Sequence, residues 1–358
     1  MKPPTTRRIL MVSEVYPPAI GGIETIGQIM AHRLAARGHA VVVATRTPCD
    51  DPTFDQNEAR LGVRVVRRPG MLALLRLGWW AQVILNNHLS LRALGPLWLL
   101  PRPWFVWVHT YLFPMGGRVS RWLKRRALQR SQVAAVSTAL AQHLPVPATV
   151  LPNTWRADIF HPRSVARERD LVFVGRLVSD KGVDLLLAAM GCLALDGQRP
   201  TLTVIGSGPE DAALRRQADD LGISAQITFL GPRSATEVAA ELSLHEILVV
   251  PSRWAEPFGI VVLEGLACGC VPVVSSGGGL PEALGPCGEL FANGDLAGLT
   301  AALRRVLSDH EMRTRYRQKA GDHLERFAPD TIVSRMEVWL GTRSMTDTAY
   351  IAQVNNRS

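Results

Sequence analysis

Short, wholly apolar runs alternate with amphipathic stretches over most of the chain. Residues 9–12 are continuously apolar, as expected of a strand buried on both faces. The turn-rich Pro17-Pro18-Ala19-Ile20-Gly21-Gly22 follows. Residues 24–37 then carry Ile26, Ile29, Met30 and Leu34 at helical spacing, with Gly38 as the C-cap. Residues 40–44 are apolar again. Strand, helix and strand in this order predict a βαβ unit with a parallel sheet. Residues 83–85, 105–108 and 133–136 are further strand candidates, with a helix over 118–130. After a segment of low periodicity at 152–170, a second series begins. Strands are expected at 171–174, 201–205, 227–230, 247–250 and 271–274, and helices at 183–195, 210–221 and 330–340. The fold class is therefore α/β, with two doubly wound sheets. The expected division is an N-terminal domain over 1–160, a C-terminal domain over 161–328, a helix over 329–341 that crosses back to the first domain, and a loose polar tail over 342–358.

Composition narrows the class. The chain has 358 residues, of which 47% are hydrophobic, enough for two cored domains. Its five cysteines have no paired ligand spacing, so reduced thiols of a cytoplasmic protein are expected, with no metal site. The apolar run at 9–12 is too short for a signal peptide, and the apolar stretch 71–100 is interrupted too often to span a membrane. The net charge is +9 and unevenly placed. Between Glu58 and Asp158 there is no acidic residue, while the same stretch holds fourteen Lys and Arg. Such a face implies an anionic partner.

Four segments carry candidate chemistry. In Pro251-Ser252-Arg253-Trp254-Ala255-Glu256-Pro257-Phe258-Gly259-Ile260-Val261-Val262-Leu263-Glu264 an apolar strand ends and a helix opens. Pro257 keeps Glu256 out of the helix, and Glu264 falls about one turn inside it. The amides of Phe258, Gly259 and Ile260 lie at that helix start, where an anion or a hydroxyl-rich group is favoured. A carboxylate suits a vicinal diol. In Gly175-Arg176-Leu177-Val178-Ser179-Asp180-Lys181-Gly182, at the end of the second series' first strand, Arg176 and Lys181 suit a diphosphate. Gly21 and Gly22 permit close backbone approach after the first strand. His109 follows an apolar strand at a sheet mouth. No Asp-x-Asp occurs, so charge on a leaving group falls to protein cations.

Taken in order, these segments resemble glycosyltransferase family 4. The family's E-x7-E matches Glu256 and Glu264, and its Gly-Arg and Lys-Gly elements match Arg176 and Lys181. Its glycine loop matches Gly21 and Gly22, its Arg-Gly-His matches Arg37-Gly38-His39, and its Gly-Gly-x-x-Glu matches Gly278-Gly279-Leu280-Pro281-Glu282. The chain departs from the family at Pro152-Asn153-Thr154-Trp155, where the family often has Pro-Asn-Gly. The resemblance implies a GT-B fold, two Rossmann-like domains facing across a cleft, and transfer of a hexose-type sugar from a nucleotide sugar with retention, without metal or cofactor. It implies that Arg176 and Lys181 neutralise the diphosphate and that Glu264 holds the ribose. Glu256, with the Phe258 and Gly259 amides, would hold the sugar. Gly22 would approach from the other domain, and His109 would lie by the reacting centre, so that His109 and Glu256 stand as the catalytic candidates.

Trp79, Trp80, Trp98, Trp104, Trp107 and Trp122 all lie in the acid-free stretch. Arg118, Arg121, Lys124, Arg125 and Arg126 share one predicted helix, with Val119, Leu123 and Ala127 on its other side. This composition suits the cytoplasmic face of an anionic membrane and a glycan or lipid-linked acceptor, as in cell-envelope or exported polysaccharide assembly. Another GT-B enzyme, such as a sugar-nucleotide epimerase, leaves the E-x7-E and Arg176/Lys181 set unused. A nucleic-acid-binding protein leaves it unexplained, and no nucleic acid is expected as partner.

Overall fold

The structure is a computed structural model and describes residues 6–19, 21–91, 95–112 and 117–341. The tail expected over 342–358 lies outside the described residues. The chain forms two compact units: one runs to Thr154 and resumes at Pro329, and the other is Trp155–Ala328.

The first unit contains β1 (Arg8–Ser13), α1 (Gly22–Ala36), β2 (Ala40–Thr45), α2 (Pro52–Arg60), β3 (Val63–Arg67), α3 (Met71–Trp80) and β4 (Val83–Asn87). After a 3₁₀ turn at Gly95–Leu99 come β5 (Trp104–Val108), α4 (Arg118–Gln129), β6 (Gln132–Ala135), α5 (Thr138–Gln142) and β7 (Thr149–Val150). The strands pair in parallel in the order β3-β2-β1-β4-β5-β6-β7. Ile9, Leu10, Val43, Ile84 and Phe105 are fully buried, as a sheet covered on both faces requires. The strand order reverses between β1 and β4, so the site-forming edge of this unit is where Ser13 and Asn87 end their strands.

The second unit contains β8 (Arg169–Val174), α6 (Val183–Leu195), β9 (Leu202–Ile205), α7 (Asp211–Asp220), β10 (Ile227–Gly231), α8 (Ala235–Leu244), β11 (His245–Val250), α9 (Ile260–Ala267), β12 (Val271–Ser275), α10 (Leu280–Leu284), β13 (Glu289–Phe291), α11 (Leu296–Ser308) and α12 (His310–Glu325). Its strands are parallel in the order β10-β9-β8-β11-β12-β13, reversing between β8 and β11. Both units are thus doubly wound α/β folds, the class expected from the sequence.

The last helix, α13 (Pro329–Gly341), belongs to the first unit and packs on α1. Trp339 sets its ring edge-on to Phe105, 5.1 Å between centroids. Arg37 donates to Glu337 Oε2 at 2.8 Å, and His39 Nε2 lies 3.0 Å from Glu337 Oε1. The Arg7 amide donates to His39 Nδ1, which leaves the ring proton on Nε2 to bond Glu337. Gly38 turns the chain between Arg37 and His39 with φ +89. The Arg37-Gly38-His39 signature thus holds the C-terminal helix in place. On α4, Ala127 is buried but Val119 is 72% exposed, so Val119 does not join the inward face expected for it. Trp104 and Trp107 are core residues, whereas Trp79 and Trp122 are exposed.

Candidate functional site

In the second unit, four loops meet at the carboxyl edge of the sheet. Gly182 takes φ +70, and a Cβ there would stand 2.0 Å from Pro251 O. Only glycine lets the Arg176–Lys181 loop press against the end of β11. The Asp180 carbonyl accepts from the amides of Arg253 at 2.9 Å and Trp254 at 3.3 Å, joining the two loops. Gly206 and Gly208 pack as closely against the carbonyls of Gly175 and Leu177. Gly278, with φ +67, lies under Glu256: the Gly279 amide donates to Glu256 O at 2.7 Å, and a Cβ on Gly278 would stand 2.0 Å from that oxygen.

This packing brings Lys181 and Glu256 together. Lys181 Nζ lies 2.5 Å from Glu256 Oε1, which also accepts from Ser252 Oγ at 2.7 Å. Ser252 is buried, and its carbonyl accepts from Ser275 Oγ at 2.7 Å. Both bonds to Glu256 fall on Oε1, so Oε2 has no partner among the described residues and is the atom available to a ligand. Arg176 is exposed and makes no ion pair or hydrogen bond among the described residues. Its guanidinium is unspent, as a diphosphate grip requires.

Gly259 caps α9 with φ +103, and Ile260 begins the helix. The Phe258 ring is buried and lies 5.7 Å from the Phe327 ring, so Phe258 can offer a ligand only its amide. With Gly259 and Ile260, that amide belongs to the helix start that has no acceptor inside the helix. Glu264 is the fifth residue of α9. Its half-buried carboxyl has no cation and no hydrogen-bond donor among the described residues. Burial without compensation pushes its pKa up to about 7.

In the first unit, Gly21 caps α1 and Gly22 is its first, exposed residue. Asn87, at the end of β4, ties this helix start to His109. Its Nδ2 donates to Ile23 O and to Ser13 Oγ, both at 3.1 Å, and the Ser13 hydroxyl donates onward to Val15 O at 2.6 Å. Asn87 Oδ1 therefore faces the imidazole and accepts from His109 Nε2–H at 2.8 Å. Nδ1 lies 3.0 Å from Asn153 Oδ1, so a ring protonated on Nε2 requires that amide to be flipped, its NH2 donating to Nδ1. Burial drives the His109 pKa down to about 3, and His88, itself lowered to about 4, adds to the shift. His109 is a buried, neutral ring with both nitrogens engaged. It positions Asn87 and the start of α1, and its lowered pKa keeps it from taking up a second proton near neutral pH. Sequence reasoning passed over Asn87, Asn153 and Ser252. The signal for Asn87 was an asparagine pair closing an apolar strand, a polar placement that burial tolerates only with partners.

Against this geometry, the profile of the family described as "Glycosyl transferases group 1" matches residues 156–323. The glycogen synthase of Mycobacterium tuberculosis is 32% identical over 84% of this chain and 86% of its own length. The chain belongs to the group 1 glycosyl transferases. A GDP-mannose-dependent alpha-(1-6)-phosphatidylinositol monomannoside mannosyltransferase of Mycolicibacterium smegmatis is 27% identical over 84% of this transferase and 89% of its own chain. Among solved structures, the Anabaena protein HepE in complex with UDP and glucose superposes with a TM-score of 0.74 at 20% identity, covering 92% of this chain and 98% of that one. A sucrose-phosphate synthase from Thermosynechococcus elongatus gives 0.73 at 21% identity, over 98% and 100%. The transferase has the GT-B fold of these neighbours. Among the described residues, no three His, Cys, Asp or Glu side chains are grouped to hold a metal ion, and no helix is long and apolar enough to cross a membrane.

Proposed function

We propose that this transferase is a retaining, metal-independent enzyme of glycosyltransferase family 4. It moves a hexose-type sugar from a nucleotide sugar, bound on the second unit, to a glycan or lipid-linked acceptor, and it needs no cofactor. The observation that carries this reading is Glu264, a half-buried carboxylate on α9 with no ion pair or hydrogen bond among the described residues. Such a group is kept at a cost in stability, and a pair of ribose hydroxyls is the ligand that compensates it. Arg176 and Lys181 take the diphosphate. Glu256 Oε2 and the amides of Phe258, Gly259 and Ile260 take the sugar, and Gly21 and Gly22 at the start of α1, with His109, are the candidates that the first unit carries. The reaction is driven by positioning and by charge on the leaving phosphate. The nucleotide sugars named for the mannosyltransferase relatives, and the UDP and glucose of the HepE complex, support a donor of this class.

The acid-free stretch of the first unit supports peripheral contact with the cytoplasmic face of an anionic membrane, and with it a role in cell-envelope or exported polysaccharide assembly. Thermal denaturation with UDP, GDP and ADP tests the donor site. One of them is expected to raise the melting temperature, and Glu264→Ala is expected to abolish that rise. A nucleotide that stabilises both proteins equally would remove Glu264 from the site, and no shift with any of them would remove the donor assignment.

A further inference from the structure

Parallel sheets are normally covered on both faces. In the first unit, one corner of the sheet is left open. Between α3 and the strands β2 and β3 runs a groove of about 570 Å³, lined by Val42, Val66, Leu77 and Trp80 and by Arg64 and Arg76. Neither arginine has an ion pair or hydrogen bond among the described residues, and the sequence from residue 59 to 157 contains no acid to supply one. The groove is therefore an aliphatic trough with two uncompensated guanidinium groups.

The helix beside it is equally unusual. α3 reads Met-Leu-Ala-Leu-Leu-Arg-Leu-Gly-Trp-Trp, and Arg76 is its single charge. Its inner side is seated by Gly78, where a Cβ would stand 2.3 Å from Leu100 and 2.6 Å from Leu97. Its outer side carries Leu72, Arg76 and Trp79 at i, i+4 and i+7, one stripe of the helix. Leu72 is 71% exposed and Trp79 55%. The Arg102 guanidinium lies 5.7 Å from the Trp79 ring centroid, so a second cation borders the stripe. Apolar side chains facing out, an indole at the margin and cations without acids describe a helix lying at a bilayer interface.

We propose that α3 and its groove form a binding site for an anionic phospholipid at a bilayer surface. Leu72 and Trp79 enter the interface, the lipid phosphate is held between Arg64 and Arg76, and an acyl chain lies along Val42, Val66 and Leu77. Charge complementarity selects this occupant. A second copy would bring the same two guanidinium groups against themselves, and a nucleotide would set its polar base against the side chains of Val42, Val66 and Leu77. The inference rests on the peripheral membrane contact in the proposed function and assigns it to α3, not to the more basic α4.

Vesicle flotation tests it with the full chain. The protein is expected to float with vesicles containing phosphatidylglycerol and to stay behind with phosphatidylcholine alone. The pair Leu72→Glu with Trp79→Glu, and the pair Arg64→Glu with Arg76→Glu, should each lower partitioning at least about tenfold, and Arg125→Glu with Arg126→Glu on α4 should lower it less. Thermal melts of each variant confirm folding. If the α3 pairs float like the parent while the α4 pair is released, the proposed site is wrong and membrane contact stands. If the parent floats with neither vesicle, both fail. For the groove, monomeric lysophosphatidylglycerol should raise the melting temperature in an Arg64- and Arg76-dependent way. An equal shift from glycerol 3-phosphate would make the groove a phosphate site and overturn the lipid assignment.

Discussion

Glu264→Gln separates the binding role of this residue from its cost to the fold. In the unfolded chain the carboxyl ionises near the ordinary 4.5, and in the folded protein burial holds it at about 7. Between those values the folded state keeps a proton that the unfolded chain has lost, so stability falls as pH rises through this window and stays lower above it. The displacement corresponds to about 3 kcal/mol at pH 8. Glutamine fills the same space without a charge. Unliganded Glu264→Gln is therefore expected to be more stable than the parent at pH 8, by up to about 3 kcal/mol or roughly 6–12 °C in the melting of a unit of this size. The two proteins should converge as pH falls toward 4.5. A saturating nucleoside diphosphate should reverse the ranking, because only the carboxylate compensates its burial through the ribose. Differential scanning calorimetry at pH 5 and pH 8, with and without nucleotide, reads all four conditions. A gap between the proteins that is the same at both pH values would refute the reasoning, as would a glutamine variant less stable at pH 8.

Asn87→Ala should cost about 2–4 kcal/mol in denaturant unfolding, because it strands His109 Nε2–H and Ile23 O in a buried region. It should also lower transfer activity, by loosening the start of α1. Gly278→Ala should leave the far-UV circular dichroism unchanged but reduce kcat/KM at least about tenfold: its Cβ would stand 2.0 Å from Glu256 O at φ +67, and the loop carrying Glu256 must move to admit it.

The strands were legible where burial on both faces leaves a continuous apolar run, as in β1, β2, β5, β11 and β12. β3 was not, because at the edge of the sheet Arg64 and Arg67 interleave with its valines and break that run. α2 carried its own start signal, with Asp51 accepting from the Thr53 amide at 2.9 Å and Pro52 in the first turn, but its sequence is too polar for periodicity to reveal it. At the site, residue types were legible and partnerships were not. Glycine, arginine and glutamate announce themselves in a motif, whereas Lys181 and Glu256 meet across a sequence separation of 75. That contact changes how the two residues must be understood together. The motif assigns Lys181 to a diphosphate and Glu256 to a sugar, as if each acted alone. Unliganded, each is the other's counter-ion, so neither is left as an uncompensated half-buried charge. Under the proposed function, an arriving diphosphate competes with Glu256 for Lys181. As the ammonium turns to the phosphate, Glu256 loses its cation and needs donors, which the hydroxyls of the bound sugar supply. Donor phosphate and donor sugar would then be recognised as a unit: a free diphosphate leaves Glu256 uncompensated, and a free sugar leaves Lys181 where it was.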